Sequence, residues 1–346
     1  MEIIKRKLKY FLKYATFNKK FLNYLEINLS KRLRLLKPIG LPHTIMIEPT
    51  SLCNLKCPLC PTGSKQLGRE NGLMNFEKYK KLVDEVSPYI IRLRMWNWGE
   101  PLIHKEIDKM ISYAKSKNLI VNLSTNGNLL TRELAKKIVD SKLDEIIFSV
   151  DGATQETYKK YRINGDLKKV IQGIKYLVEE KNKQKSKYPK IIFQFIAMKQ
   201  NEQEIKKAEE IAKKIKVDYF TIKTVGIMDV FLKKDIKKYL PSNPNLARYV
   251  IKKNKENRKH KVRNMCDTMY EESTILWNGD VVVCCNDAKG KHKFGNVFKE
   301  PFIKIWKNKE YVNFRRQILK RKSSITMCKD CPGNTRDAPV LYKKIK

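Results

Sequence analysis

No apolar run in this 346-residue chain approaches the roughly 20 residues that a helix needs to cross a bilayer, so a transmembrane helix is excluded. No secretory signal precedes its eight cysteines either, and the pattern expected is that of a reduced, cytoplasmic protein. Acidic charge is the other shortage: 36 Asp and Glu stand against 74 Lys and Arg, a formal charge of +38. Such an excess usually suggests a nucleic acid or an anionic membrane as partner. Here it is mostly lysine, spread over polar helix faces such as 133–138 and 209–214. That is the distribution of a solvated surface, and a nucleic-acid partner is not expected.

The length allows a full hydrophobic core, with one large domain and a small one as the expectation. Residues 1–40 carry Ile3, Ile4, Leu8, Phe11, Leu12, Phe21 and Leu22 interleaved with lysine and arginine. This segment reads as a basic amphipathic helix. It suits peripheral contact with a membrane surface, and it suits equally well packing on the rest of the chain with its lysines in water.

Cysteine is concentrated first in Glu48-Pro-Thr-Ser-Leu-Cys53-Asn-Leu-Lys-Cys57-Pro-Leu-Cys60-Pro61, just after the β-like run Thr44–Ile47. Spacings of three and two residues make a three-thiolate claw on a loop leaving a strand. A tetrahedral zinc site and an ordinary 4Fe–4S site are each normally closed by four ligands, so three local thiolates leave one coordination position for something else.

On this CxxxCxxC loop the chain resembles the radical S-adenosylmethionine family. Leu59 stands where the family usually has an aromatic residue, and it can still pack against adenine. The resemblance implies a 4Fe–4S cluster on Cys53, Cys57 and Cys60, with the methionine moiety of S-adenosylmethionine on the fourth iron. It further implies reductive cleavage to a 5′-deoxyadenosyl radical, which takes a hydrogen atom from substrate.

Downstream, amphipathic helices alternate with short β-rich runs. Helices are expected over 75–86, 105–116, 133–141, 168–182 and 202–216, and strands over 90–96, 119–123, 145–150, 190–197 and 219–225. The fold class is therefore α/β, with βα units building a parallel sheet, and the family resemblance makes it a partial (β/α)6 TIM-like barrel over residues 41–227. Short polar motifs fall at strand C-termini, where ligands sit in parallel α/β folds. The resemblance assigns Trp98, Gly99, Glu100 and Pro101 to the amino group of S-adenosylmethionine, with Gly99 admitting close backbone approach. It assigns Thr125, Asn126, Ser149 and Asp151 to the ribose and carboxylate, and Arg162 to the carboxylate as a fork donor. Residues 228–265, with Pro241 and Pro244, read as a linker with one helix.

The remaining cysteines lie in the last quarter. A hairpin over 274–283 turns at Asn278-Gly279-Asp280 and runs into Cys284-Cys285, and Cys328-Lys-Asp-Cys331 follows. With Cys266, this order resembles the SPASM/twitch extension of the family, a small C-terminal iron–sulfur domain over 266–346. The full SPASM pattern has seven cysteines for two clusters, whereas this chain lacks the members after Cys331 and can complete one auxiliary 4Fe–4S cluster. The hairpin cysteine and the CxxC pair favour Cys266, Cys284, Cys328 and Cys331 as its ligands; in isolation they would also suit a zinc ribbon. Cys285 is then left over as a buried hydrophobe, an alternative ligand, or a hydrogen donor to a substrate radical, as a cysteine acts in related aminoglycoside epimerases.

The reading that follows is a radical S-adenosylmethionine oxidoreductase. Its auxiliary cluster takes the second electron in a net oxidation of a small polar or sugar-like molecule, since the ligand spacing is similar to that of cyclitol-oxidising members. An electron donor such as flavodoxin or ferredoxin is implied. Rival readings are maturation of a ribosomally made peptide, epimerisation through Cys285 and, outside enzymes, a metal-dependent protein that binds nucleic acid or a membrane surface.

Overall fold

The computed structural model describes residues 18–226, 237–252, 255–258, 264–329, 331 and 341–345. Six parallel strands lie side by side in chain order: β1 (Thr44–Ile47), β2 (Arg92–Met95), β3 (Ile120–Thr125), β4 (Glu145–Ser149), β5 (Lys190–Ala197) and β6 (Tyr219–Thr224). Helices Phe76–Val86, Ile107–Ser116, Arg132–Asp140, Leu167–Lys183 and Ile205–Lys214 connect them, giving the partial barrel expected from the sequence. The period-two alternation of the strands decides what each face does. Leu93, Met95, Val121, Leu123, Ile146, Phe148, Phe193 and Phe220 are fully buried in the core. Each such side chain contributes about 1.5–3 kcal/mol by leaving water. The alternate residues, among them Arg94, Asn122, Glu145, Gln194 and Lys223, belong to the opposite, polar face.

Helix starts follow their caps. Asn75 Oδ1 accepts from the amide of Lys78 at 2.9 Å, and Thr131 Oγ1 from that of Leu134 at 3.2 Å. The helix Lys19–Arg32 begins at Asn18 and packs on the barrel: Ile27 is buried, and Asn23 Nδ2 donates to the carbonyls of Leu41 and Tyr89, both at 3.0 Å. Leu22, Leu25 and Leu29 on the same helix stay exposed. The rest of the amphipathic segment, residues 1–17, lies outside the described residues. Among those described, no helix is long and apolar enough to cross a membrane.

The hairpin appears where the turn residues place it, as β9 (Glu272–Ile275) and β10 (Asp280–Val282), with Gly279 at φ +88° in the turn. Its strands do not form a sheet of their own. β9 pairs parallel with β1, β11 (Lys293–Asn296) adds beyond β10, and β12 (Leu341–Lys344) pairs antiparallel with β6. One ten-stranded sheet results, in the order β11-β10-β9-β1-β2-β3-β4-β5-β6-β12. The edges of a six-stranded sheet present unpaired amides and carbonyls, and the C-terminal segment satisfies them on both sides. Within 228–265 the helix expected from sequence is not found among the described residues. A turn at Pro244–Leu246 and the ladder of β7 (Tyr249–Lys252) with β8 (Lys255–Arg258) stand there instead. Tyr249, Val250 and Ile251 are strand formers, which favours a ladder over a helix at this point.

Candidate active site

The loop after β1 is held by one carboxylate. Glu48 is fully buried and pairs with Arg69 Nη2 at 2.6 Å. Its Oε1 also accepts from Trp98 N and Asn97 Nδ2, each at 3.3 Å, and its Oε2 accepts from Trp277 N at 3.4 Å. Burial pushes the Glu48 carboxyl up, and the Arg69 guanidinium opposes that shift. The cysteine loop, the end of β2 and the hairpin turn thus meet at a single residue. Packing there leaves no room for side chains: a Cβ on Gly99 would lie 2.0 Å from Thr50 O, and one on Gly63 would lie 2.5 Å from Cys57 N. The backbone that Gly99 admits is that of the cysteine loop.

Cys53, Cys57 and Cys60 line a cavity of about 150 Å³ beside the strand C-termini. Trp98, Gly99, Glu100, Thr125, Asn126, Ser149 and Arg162, seven of the nine residues assigned to S-adenosylmethionine, line it too. Pro101 opens the turn Pro101–Ile103 and is not among the lining residues. Asp151 is also absent from the lining: fully buried, it accepts from Arg162 Nε at 2.7 Å and Nη2 at 2.5 Å. Its Oδ1 accepts from the amide of Ile196 at 2.8 Å. Asp151 therefore orients Arg162, whose Nη1 reaches 3.7 Å from Cys57 Sγ.

Glu100 likewise spends its carboxylate on the protein. Thr125 Oγ1 donates to Oε1 at 2.6 Å, Leu102 N to the same oxygen at 3.1 Å, and Asn126 N to Oε2 at 2.7 Å. Burial raises this carboxyl, and those three donors offset the rise. The Gly-Glu-Pro motif thus ties the end of β2 to the end of β3. Asn126 Nδ2 in turn donates to Asn54 Oδ1 at 2.8 Å and lies 3.9 Å from Cys53 Sγ. Sequence reading missed Trp96, Asn97 and Ser124 in the lining; Trp96 keeps the alternation of Arg94 and Ser124 that of Asn122, which is the signal that would have found those two.

Burial pushes the Cys53 thiol up to about 12 and that of Cys57 upward as well. A cation bound among them reverses this cost, because a metal deprotonates its thiol ligands. Among the described residues no three His, Cys, Asp or Glu side chains close on a single-ion position. The three thiols instead stand around a cavity, and donors to their sulfurs come from Leu55 N at 3.4 Å and Arg162. This donor set fits a polynuclear cluster.

The second cysteine set runs from Cys266 to Cys331. Cys284 lies within electrostatic reach of Cys266 and Cys331, and Cys328 within reach of the same two. Asn286 Nδ2 donates to Cys331 Sγ at 3.4 Å. Lys322, 1% exposed, donates to the carbonyls of Cys331 at 2.7 Å and Met265 at 3.3 Å, so a buried ammonium stands within reach of the Cys266 and Cys328 thiols; sequence reading missed it among the many lysines. Four cysteines and one cation fit a fully ligated cluster. Cys285 bridges the two regions. Its carbonyl accepts from Trp98 Nε1 at 2.6 Å, and its thiol, pushed up to about 12 by burial, lies in the fields of Glu272 and Arg94.

The sequence matches the Radical SAM superfamily over residues 47–212 and the iron–sulfur cluster-binding domain SPASM over residues 266–332. The chain belongs to the radical SAM superfamily and carries a SPASM-type C-terminal extension. With that membership come a 4Fe–4S cluster and S-adenosylmethionine for the first site and auxiliary iron–sulfur binding for the second. It is 24% identical over 327 residues to the tungsten-containing aldehyde ferredoxin oxidoreductase cofactor-modifying protein of Pyrococcus furiosus, across 86% of this chain and 89% of that protein. To the Fe-coproporphyrin III synthase of Methanosarcina barkeri it is 33% identical over 132 residues, 38% of this chain but only 33% of the synthase. Streptococcus suis SuiB bound to S-adenosylmethionine shares the fold, with a TM-score of 0.63 at 17% identity over 97% of this chain and 83% of that one.

Proposed function

We propose that this chain oxidises a small polar or sugar-like substrate by two electrons, starting from hydrogen-atom abstraction. In this reading Cys53, Cys57 and Cys60 hold the cluster that, once reduced, cleaves S-adenosylmethionine to methionine and the 5′-deoxyadenosyl radical. Arg162, oriented by Asp151, faces the methionine carboxylate; Ser149, Thr125 and Asn126 face the ribose side. The substrate gives a hydrogen atom to the deoxyadenosyl radical, forming 5′-deoxyadenosine. It then gives one electron to an auxiliary cluster on Cys266, Cys284, Cys328 and Cys331 and loses a proton. A flavodoxin or ferredoxin in the cytoplasm supplies the electron for the first step. The observation that carries this reading is the hydrogen bond of Trp98 Nε1 to Cys285 O, which places the end of β2 at the cavity directly against the second cysteine set.

The test is anaerobic. Protein reconstituted with iron and sulfide is given S-adenosylmethionine and a strong reductant, and 5′-deoxyadenosine is quantified for wild type and Cys57→Ala. Formation that disappears in the variant supports the reading; a fully iron-loaded wild type that forms none, with or without cell extract, refutes it. A second reading concerns location: exposed Leu22, Leu25 and Leu29 beside Lys31 and Arg32 support a peripheral contact with anionic lipid. Wild type floating with anionic vesicles to the same small extent as Leu25→Ser would end it.

A further inference from the structure

We propose that Lys223, Arg94 and Arg248 form the substrate subsite of this enzyme and select a molecule bearing a carboxylate or phosphate group. The inference rests on the radical reading above and narrows its substrate class.

Strand register sets the geometry. Ile196 on β5 pairs with Lys223 on β6, while the flanking Ile222 and Phe220 are buried on the outer, helix-covered side. Lys223 therefore points into the barrel. Its side chain is exposed there to open space, yet protein surrounds it so closely that desolvation, and then repulsion from Arg94 and Arg248, lowers its ammonium to about 8. Among the described residues, none hydrogen-bonds or ion-pairs with it. Arg94 reaches the same interior from β2 and holds Glu272 of β9 at 2.5 Å. Arg248 comes from the segment before β7 and donates from Nε to Thr224 Oγ1 at 3.1 Å. Two guanidiniums thus act on Lys223, and a carboxylate that attracts it, Asp151, is already held by Arg162. Two buried hydroxyls, Thr221 Oγ1 beside Lys223 on β6 and Thr274 Oγ1 next to Glu272 on β9, lack a hydrogen-bond partner.

Gathering like charges in a low-dielectric interior is unfavourable, and an oxyanion brought among them offsets that repulsion. The arrangement also has the right position. The Arg94 guanidinium lies 5.9 Å from the ring of Trp96, which lines the cavity of Cys53, Cys57 and Cys60. The Cys285 thiol lies in the fields of both Arg94 and Lys223. A substrate anchored by its anionic end against β6 and β2 holds its remaining C–H bonds towards the cavity. A neutral sugar leaves Lys223 without a partner.

Anaerobically reconstituted protein is titrated calorimetrically with inorganic phosphate, glutarate and myo-inositol, using wild type, Lys223→Met, Lys223→Arg and Arg248→Met. One of the two anions binds wild type and myo-inositol does not. Lys223→Met weakens that anion at least about tenfold, Arg248→Met weakens it as well, and Lys223→Arg stays within about threefold. Phosphate as the ligand points to a phosphorylated substrate and glutarate to a carboxylated one. Equal affinity in wild type and both methionine variants overturns the proposal. So does a wild type that forms 5′-deoxyadenosine but binds neither anion, and in that outcome the radical reading stands while the substrate class falls. Absence of 5′-deoxyadenosine from iron-loaded wild type is the separate failure of the parent reading.

Discussion

The two cysteine regions differ in what surrounds the sulfur. Around Cys53, Cys57 and Cys60 there is a cavity with a guanidinium, amides and hydroxyls on its walls. Around Cys266, Cys284, Cys328 and Cys331 there is a fourth thiol and the buried ammonium of Lys322. An incomplete ligand set beside open space can admit a molecule; a complete set beside a fixed cation can only hold and pass charge. In the reading proposed above, the count of sulfurs separates the site of chemistry from that of electron transfer, and Trp98 with Cys285 joins the two.

The comparison can be broken most severely at its first member. Gly99→Ala places a methyl 2.0 Å from Thr50 O, so the cysteine loop cannot close; iron content at the first site and 5′-deoxyadenosine formation both fall to background. Cys284→Ala should behave differently, retaining S-adenosylmethionine cleavage while losing oxidised product, as read by product analysis. If it abolished cleavage as thoroughly as Cys57→Ala, the separation would be wrong. Arg162→Met strands the fully buried Asp151 without its partner and should cost about 3–5 kcal/mol of stability, measured by denaturant unfolding. A smaller loss, about 1–2 kcal/mol, is expected for Thr125→Val, which removes the 2.6 Å bond to Glu100. The least disruptive change, Lys322→Met, removes positive charge beside the second set. It should make the auxiliary potential more negative, detectable by spectroscopic titration, with the first cluster unmoved.

Most of the parallel sheet was legible because its strands and helices obey periods of two and 3.6 residues. The CxxxCxxC loop was legible because its ligands are neighbours in the chain. The parts not legible are those where a side chain's partner is remote in sequence. Glu100 was assigned to ligand, and in the structure its carboxylate also accepts from Leu102, Thr125 and Asn126; Asp151 was assigned to ligand, and in the structure it holds Arg162. Nothing local distinguishes a carboxylate that meets a cofactor from one that braces the residue beside it. Lys223 and Lys322 were hidden in the same way, two interior lysines among a large solvated population.

By itself the sequence determined the class of chemistry, the α/β architecture and the thiols, since cysteine spacing and hydrophobic periodicity are properties of short segments. Only the tertiary structure decided that the C-terminal hairpin extends the barrel sheet through β1 and β9. The same holds for Trp98 touching Cys285 and for the cations that converge in the barrel. These depend on strand register and on contacts between residues far apart in the chain, such as Arg94 with Glu272, where the closing of the fold and not the local sequence sets which groups meet.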